Sequence, residues 1–179
     1  MPFTPYHFGL SGFLGLVFRK WVDVPVFVLA NVAIDIEVLI VAFFGLGRPV
    51  HRYAHTLLGG LVLGVVWAVA AYSMRGLFQK AMAFLRLKYE TCLSKMIISG
   101  VLGVWLHVLI DGMYHGDVEP FWPNKTSLWL RIVRRIGYNK IDDLKSYVET
   151  GCVIFWFAGI AVYLLILWMS YCNATKKAY

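Results

Sequence analysis

Three residues spaced four apart, His107, Asp111 and His115, carry the chemistry most plainly. On an α-helix, residues four apart drift by only about 40° around the axis, so one face is predicted to present all three side chains. A carboxylate between two imidazoles is a metal-ligand set. His51 and His55 repeat the spacing and are predicted to sit one helical turn apart, in reach of one ion or two adjacent ions. No Glu stands between them as in HExxH, so a zincin arrangement is excluded. Asp35 and Glu37 are two apart and diverge by about 200° on an ideal helix. Asp35 is therefore the expected ligand, and Glu37 a general base or a partner behind the ligands. With His7 the set takes in all five histidines of the chain. Imidazole and carboxylate ligands without thiolate suit Zn²⁺, or else Mn²⁺ or Fe. Two or three such ions about 3.5–4 Å apart would direct a bridging hydroxide at phosphorus.

The elements that must position these groups are apolar. Of the 179 residues, 60% are hydrophobic and 15% charged, and the mean hydropathy is +0.67. Soluble domains run to about half apolar and a quarter charged. A water-soluble globule is excluded, and a single membrane-embedded domain over residues 1–179 is expected. Its fold class is all-α, a polytopic integral membrane helical bundle with four to five segments and amphipathic interfacial helices. The first segment is read from about Tyr6 to Phe18, closed by Arg19 and Lys20, and the second from Val24 to about Leu46. The third is read from about Ala54 to Met74, the fourth from about Met96 to His115, and the fifth from Cys152 to about Tyr171, with Lys176 and Lys177 beyond it. Arg75 to Lys95 alternates basic and apolar residues, as a helix lying in the interface does. Residues 116–149 read as a polar loop holding a second surface helix, Leu128 to Ile136.

If five segments cross, the N-terminus, the loop at 47–56 and the loop at 116–149 share one side, and the polar clusters converge on one half of the bilayer. Intramembrane His and Asp are costly, roughly 2.5–3.5 kcal/mol for an acid at the centre, and mark function by default. The formal charge of +7 is interspersed with Trp, Leu and Phe, which suits anionic lipid headgroups and speaks against nucleic acid as a partner. The positive-inside rule puts Arg75–Lys95 in the cytoplasm and the site outside, although the loop at 116–149 is itself basic. Cys92, Cys152 and Cys172 show neither zinc spacing nor a disulfide framework. The N-terminus lacks the basic stretch and apolar core of a cleaved signal peptide.

Pro5-Tyr6-His7-Phe8-Gly9, Asn31 through Asp35-Ile36-Glu37, His51-Arg52-xx-His55-Thr56 and His107-xxx-Asp111 with Pro120-xx-Pro123 occur in that order over residues 2–123. Jointly they resemble the YdjM-like family of membrane-bound predicted metal-dependent hydrolases, itself similar to the zinc-dependent phospholipase C and P1 nuclease superfamily. The resemblance implies a zinc cluster that cleaves phosphoesters. It also implies His7, Asp35, His55, His107 and Asp111 as ligands, with Asp111 a candidate bridge. Many relatives carry Pro-Asp-x-Asp where this chain has Ile34-Asp35-Ile36-Glu37, which leaves Glu37 and His51 open as direct ligands.

The expected function is a multi-pass cell-membrane hydrolase cleaving a lipid phosphoester with a metal-bound hydroxide. Arg52 would hold a phosphate oxygen, and Glu37 or Asp117 would serve as general acid or base. The alternatives are a metal-ion or proton transporter and a membrane scaffold with a structural metal. A transporter needs polar residues reaching both faces. Segments three and four carry almost none in their other half.

Overall fold

The computed structural model describes residues 4–176. Lys177, read as flanking the last span, lies outside them. The described residues form seven α-helices and one short 3-10 turn: α1 Thr4–Val17, α2 Val24–Phe43, α3 Leu57–Ser73, α4 Arg75–Phe84, α5 Leu93–Tyr114, α6 Leu128–Ile136, the turn Tyr138–Lys140, and α7 Ile141–Lys176. The all-helical, membrane-type fold expected from the apolar runs is the fold observed.

By length and apolarity, three helices can cross a membrane: α2, α5 and α7. A fourth span is counted if α3 and α4, bent by 77° at Met74, are taken as one. The first segment falls short of the expectation. α1 has 14 residues, and at 1.5 Å per residue this covers only about two-thirds of a 30 Å hydrocarbon core. The expected polar loop at 116–149 also needs correcting, because α7 begins at Ile141 and runs for 36 residues. Such a helix is longer than the bilayer is thick, so its first turns, with Asp142, Asp143, Lys145 and Glu149, stand clear of the apolar layer. Its apolar stretch is only 11% buried, against 50% for α5, as suits a helix whose sides face lipid.

α5 is the central helix. It packs on α3 and α2 at full length and touches α1, α6 and α7. Glycine makes the closest crossing possible. A Cβ on Gly64 would stand 2.6 Å from the Val101 Cα, and one on Gly100 would run into the Gly64 carbonyl, so α3 and α5 meet backbone to backbone. Between the helices Val26, Ala68, Ala71 and Met96 fill one end of the core, and Ala30, Ile34, Val104 and Val108 the other. Half-buried indoles are satisfied across the same seams. Trp67 Nε1 donates to the Val26 carbonyl and Trp105 Nε1 to that of Leu57, at 3.0 and 2.9 Å.

The two ends of the bundle are fastened differently. At one end the buried Asp23 caps α2, its carboxylate accepting from the Val26 amide at 3.1 Å. The same carboxylate accepts hydroxyl donors from Tyr89 and Thr91, while the Asp23 amide donates to Ser99 on α5. At this end α4 lies across the bundle, with Phe78 and Met82 buried and Arg75 and Lys80 exposed. That is the interfacial pattern read in the connector, although the helix stops at Phe84. The other end holds the histidines. α6 lies there with Val133 buried and Arg131, Arg134 and Arg135 exposed, over the span read from sequence.

Candidate metal centre

The start of α1, the end of α5, the later half of α2, and the two loops 47–56 and 115–123 meet at that second end. α5 contributes the regular part. His107 and Asp111 lie one turn apart on its inward face, with His107 Nε2 3.1 Å from Asp111 Oδ2. The predicted stripe stops there. α5 ends at Tyr114, and His115 is its C-cap with extended backbone. His115 therefore leaves the helical face and meets His51 instead, their ring centroids 4.6 Å apart.

His51 and His55 are not a helical pair either. α3 begins at Leu57 with Thr56 as its N-cap, whose hydroxyl accepts from the Gly59 amide. Both histidines precede it in irregular chain. Their rings still lie 4.7 Å apart, because carboxylates hold the loop. Glu37 accepts from the amides of Arg52 and Ala54, at 3.0 and 2.9 Å. Asp117 accepts from the Val50 amide at 3.3 Å. The loop bearing Asp117 is pinned in turn, through the Pro120 carbonyl to the Leu57 amide and by Trp129 of α6 lying against Gly116.

α2 is unbroken through Asp35 and Glu37, so the two carboxylates do point apart. His55 sits between them. Its Nδ1 lies 2.8 Å from Glu37 Oε2 and its Nε2 3.9 Å from Asp35 Oδ1. Asp35 also approaches His107 Nε2, at 3.3 Å. His51 has the same two-sided arrangement, with Nδ1 3.0 Å from Asp117 and Nε2 3.7 Å from Asp111. α1 delivers His7, whose Nε2 lies 3.1 Å from Asp111 Oδ1 and whose ring stacks on His107 at 4.2 Å.

These distances place four imidazoles around Asp111. Two groups of ligand atoms result: Asp35, His55, His107 and Asp111 in one, and His51, His115 and Asp117 in the other, each within 4.8 Å throughout. Ligands at about 2.0–2.1 Å from a tetrahedral ion lie about 3.3 Å from one another. The separations of 3.1 to 4.0 Å along the first group bracket that value.

Hydrogen bonding tests the fit independently. His7 Nε2, His55 Nε2 and Asp111 Oδ1 are buried and make no hydrogen bond of good geometry, although His7 Nε2 and Asp111 Oδ1 stand 3.1 Å apart. Buried polar atoms rarely stay unpartnered, since each costs about 1–3 kcal/mol. With Nδ1–H of His55 and of His51 donating to Glu37 and Asp117, each ring turns an Nε2 lone pair toward Asp111. A carboxylate behind a metal-binding imidazole is the usual device for fixing its tautomer. The buried group is competent to hold a metal ion.

Electrostatics outside the spans agrees with this assignment. For His115, burial is the main cause of a pKa pushed down to about 4, with His51 adding to it, so the ring is a neutral donor of its lone pair. Burial opposes ionisation of Asp117, but the bond to His51 outweighs it and holds the carboxyl below its ordinary value. Burial likewise disfavours the His55 cation, and the facing Asp35 and Glu37 overcome it, raising the pKa. Metal and proton therefore compete for His55.

The centre opens through a cleft of about 550 Å³ whose lining includes Arg52, Tyr53, Thr56, His51 and Asp117. Arg48 and Lys125, which no spacing singled out, line it too. Among the described residues, the site is a buried His/carboxylate cluster at one end of an α-helical bundle of candidate membrane spans. Comparisons with protein-family models, curated proteins and solved structures gave no match to this chain.

Proposed function

We propose that this protein is a metal-dependent hydrolase of the cell membrane that cleaves a phosphoester of a lipid. The observation that carries the reading is the Asp111 carboxylate. It is buried among four imidazoles whose Nε2 atoms lie 3.1 to 4.0 Å from its oxygens, and two of those nitrogens make no hydrogen bond. Zn²⁺ is the favoured ion for such ligands, with Mn²⁺ or Fe next. When bound, the ion supplies Lewis acidity and lowers the pKa of water toward neutrality.

The chain's own residues have separable tasks in this reading. Asp111 turns Oδ2 toward His51, His55 and His107 and Oδ1 toward His7, and would be the bridge if two ions bind. Glu37 holds the proton of His55 on Nδ1, and its oxygens are engaged by His55 and two amides. It thus acts through His55, as a positioning residue. Asp117 does the same for His51 and also lines the cleft, where it can exchange a proton with a leaving oxygen. The depth of the site in an apolar bundle, with the basic face of α6 beside it, favours a headgroup as substrate.

A transport pathway is less well supported. The polar residues at the far end, Asp23, Tyr89, Thr91 and Ser99, bond to one another. Close-packed Val26, Ala30, Ile34 and Val104 lie between them and the histidines. The test is elemental analysis of purified protein, followed by a screen of phospholipid hydrolysis with and without chelator. Stoichiometric metal with chelator-sensitive turnover is expected. Metal without turnover on any lipid phosphoester would leave a scaffold or transporter.

A further inference from the structure

The cleft above the metal centre joins two loops far apart in sequence. Arg48, Arg52 and Tyr53 come from one; Asp117, Trp122 and Lys125 come from the other. Tyr53 and Trp122 meet edge to face at 5.6 Å and close one rim. The three cations are not equivalent. The Arg52 guanidinium donates to the carbonyls of Pro49 and Leu46, at 3.2 and 2.8 Å, and so braces its own loop. Arg48 and Lys125 make no side-chain hydrogen bond or ion pair among the described residues. The acid opposite them, Asp117, is already paired with His51, which leaves Glu119 as the other carboxylate of the lining.

Two uncommitted cations from separate loops, beside metal-ligating residues and under an aromatic rim, are what a tetrahedral oxyanion needs. An anion seated there would lie against His51 and Asp117, within the same wall that encloses the metal group. We propose that this cleft is a phosphate seat, in which Arg48 and Lys125 grip a phosphate from opposite loops and Arg52 keeps the Arg48 loop in place. The seat rests on the lipid-phosphoester reading and names the residues that select for it. The phosphate has two possible sources, a lipid headgroup or a soluble phosphate.

The test uses full-length, metal-loaded protein in detergent, titrated calorimetrically with inorganic phosphate and, separately, with short-chain phosphatidate. Removing either cation should weaken binding by about tenfold or more, so Arg48→Ala and Lys125→Ala together should cost on the order of 100-fold. Lys80→Ala removes the same charge from the exposed face of α4, at the far end of the bundle, and should leave phosphate affinity unchanged. Elemental analysis of each variant shows that the metal centre has folded. If both ligands bind wild type and both bind the double variant more weakly, the seat reads the phosphate itself. If only phosphatidate behaves so, the seat reads a headgroup. Either result supports the proposal. Failure of wild type to bind either ligand overturns it, as does a metal-replete double variant binding both as wild type does. Phosphate binding that depends on Arg48 and Lys125, without lipid turnover, would sink the hydrolase reading and leave the seat standing.

Discussion

Glu37→Gln separates a positioning role from a chemical one. Glu37 accepts three hydrogen bonds, from His55 Nδ1 at 2.8 Å, the Ala54 amide at 2.9 Å and the Arg52 amide at 3.0 Å. Glutamine has the same shape but only one accepting oxygen. Whichever way it turns, its NH₂ faces at least one N–H. If the NH₂ faces Nδ1, His55 must carry its proton on Nε2, and that nitrogen can no longer bind a cation. If the oxygen faces Nδ1, the ligand survives but a charge-assisted bond has become a neutral one. Loss of the carboxylate behind a metal-binding imidazole typically costs 10–100-fold in affinity, so roughly 1.4–2.8 kcal/mol of binding is expected to go. The assay is competition against a calibrated chelator in detergent, with turnover then measured at saturating metal. Affinity should fall by that factor and turnover should recover as metal is added. Unchanged affinity, or turnover that stays abolished at metal saturation, would refute the positioning argument and return Glu37 to the role of general base.

Asp111→Asn should lower metal affinity by more than Glu37→Gln does, because a shared charged ligand is removed outright. Equilibrium dialysis against Zn²⁺ checks this. In the wild type, metal affinity should fall as pH is lowered, first through competition at His55, whose pKa is raised, and further toward about pH 4 as His115 protonates, with a slope that counts the protons displaced. Gly100→Ala forces a methyl group into the Gly64 carbonyl and to 3.2 Å from the Ala68 Cβ. Parting α3 from α5 should cost about 1–3 kcal/mol, read as a lowered unfolding midpoint in detergent. Asp23→Ala removes the acceptor of Tyr89, Thr91 and the Val26 amide. It should destabilise the fold by at least about 1.5–3 kcal/mol while metal stoichiometry stays at the wild-type value.

What could be read in advance follows the physics of each element. His107 and Asp111 sit inside a regular helix, where spacing alone fixes direction, and they face one point as their separation requires. His115 has the same spacing but lies past the last turn. His51 and His55 owe their proximity to Glu37 and Asp117 grasping loop amides 15 to 67 residues away, and no period encodes such a grasp. The span of α6 was legible because Ser127 caps it and Gly137, with φ of 93°, ends it. The start of α7 was not, because an apolar run does not mark the polar turns from Ile141 to Glu149. Asp23, standing before Val24-Pro25, has the local pattern of an ordinary cap. Its other partners lie 66 to 76 residues further on.

α1, with 14 residues, is too short to be held by the bilayer alone. Two of the contacts it rests on come much later in the chain. His7 needs Asp111 of α5, and Gly9 lies against Cys152 and Trp156 of α7. α1 also leans on α2, with Gly15 against Val24 and Phe27, but its full seat exists only once α5 and α7 are in place. Docking of α1 against α5 brings His7 to Asp111 and so completes the ligand cluster.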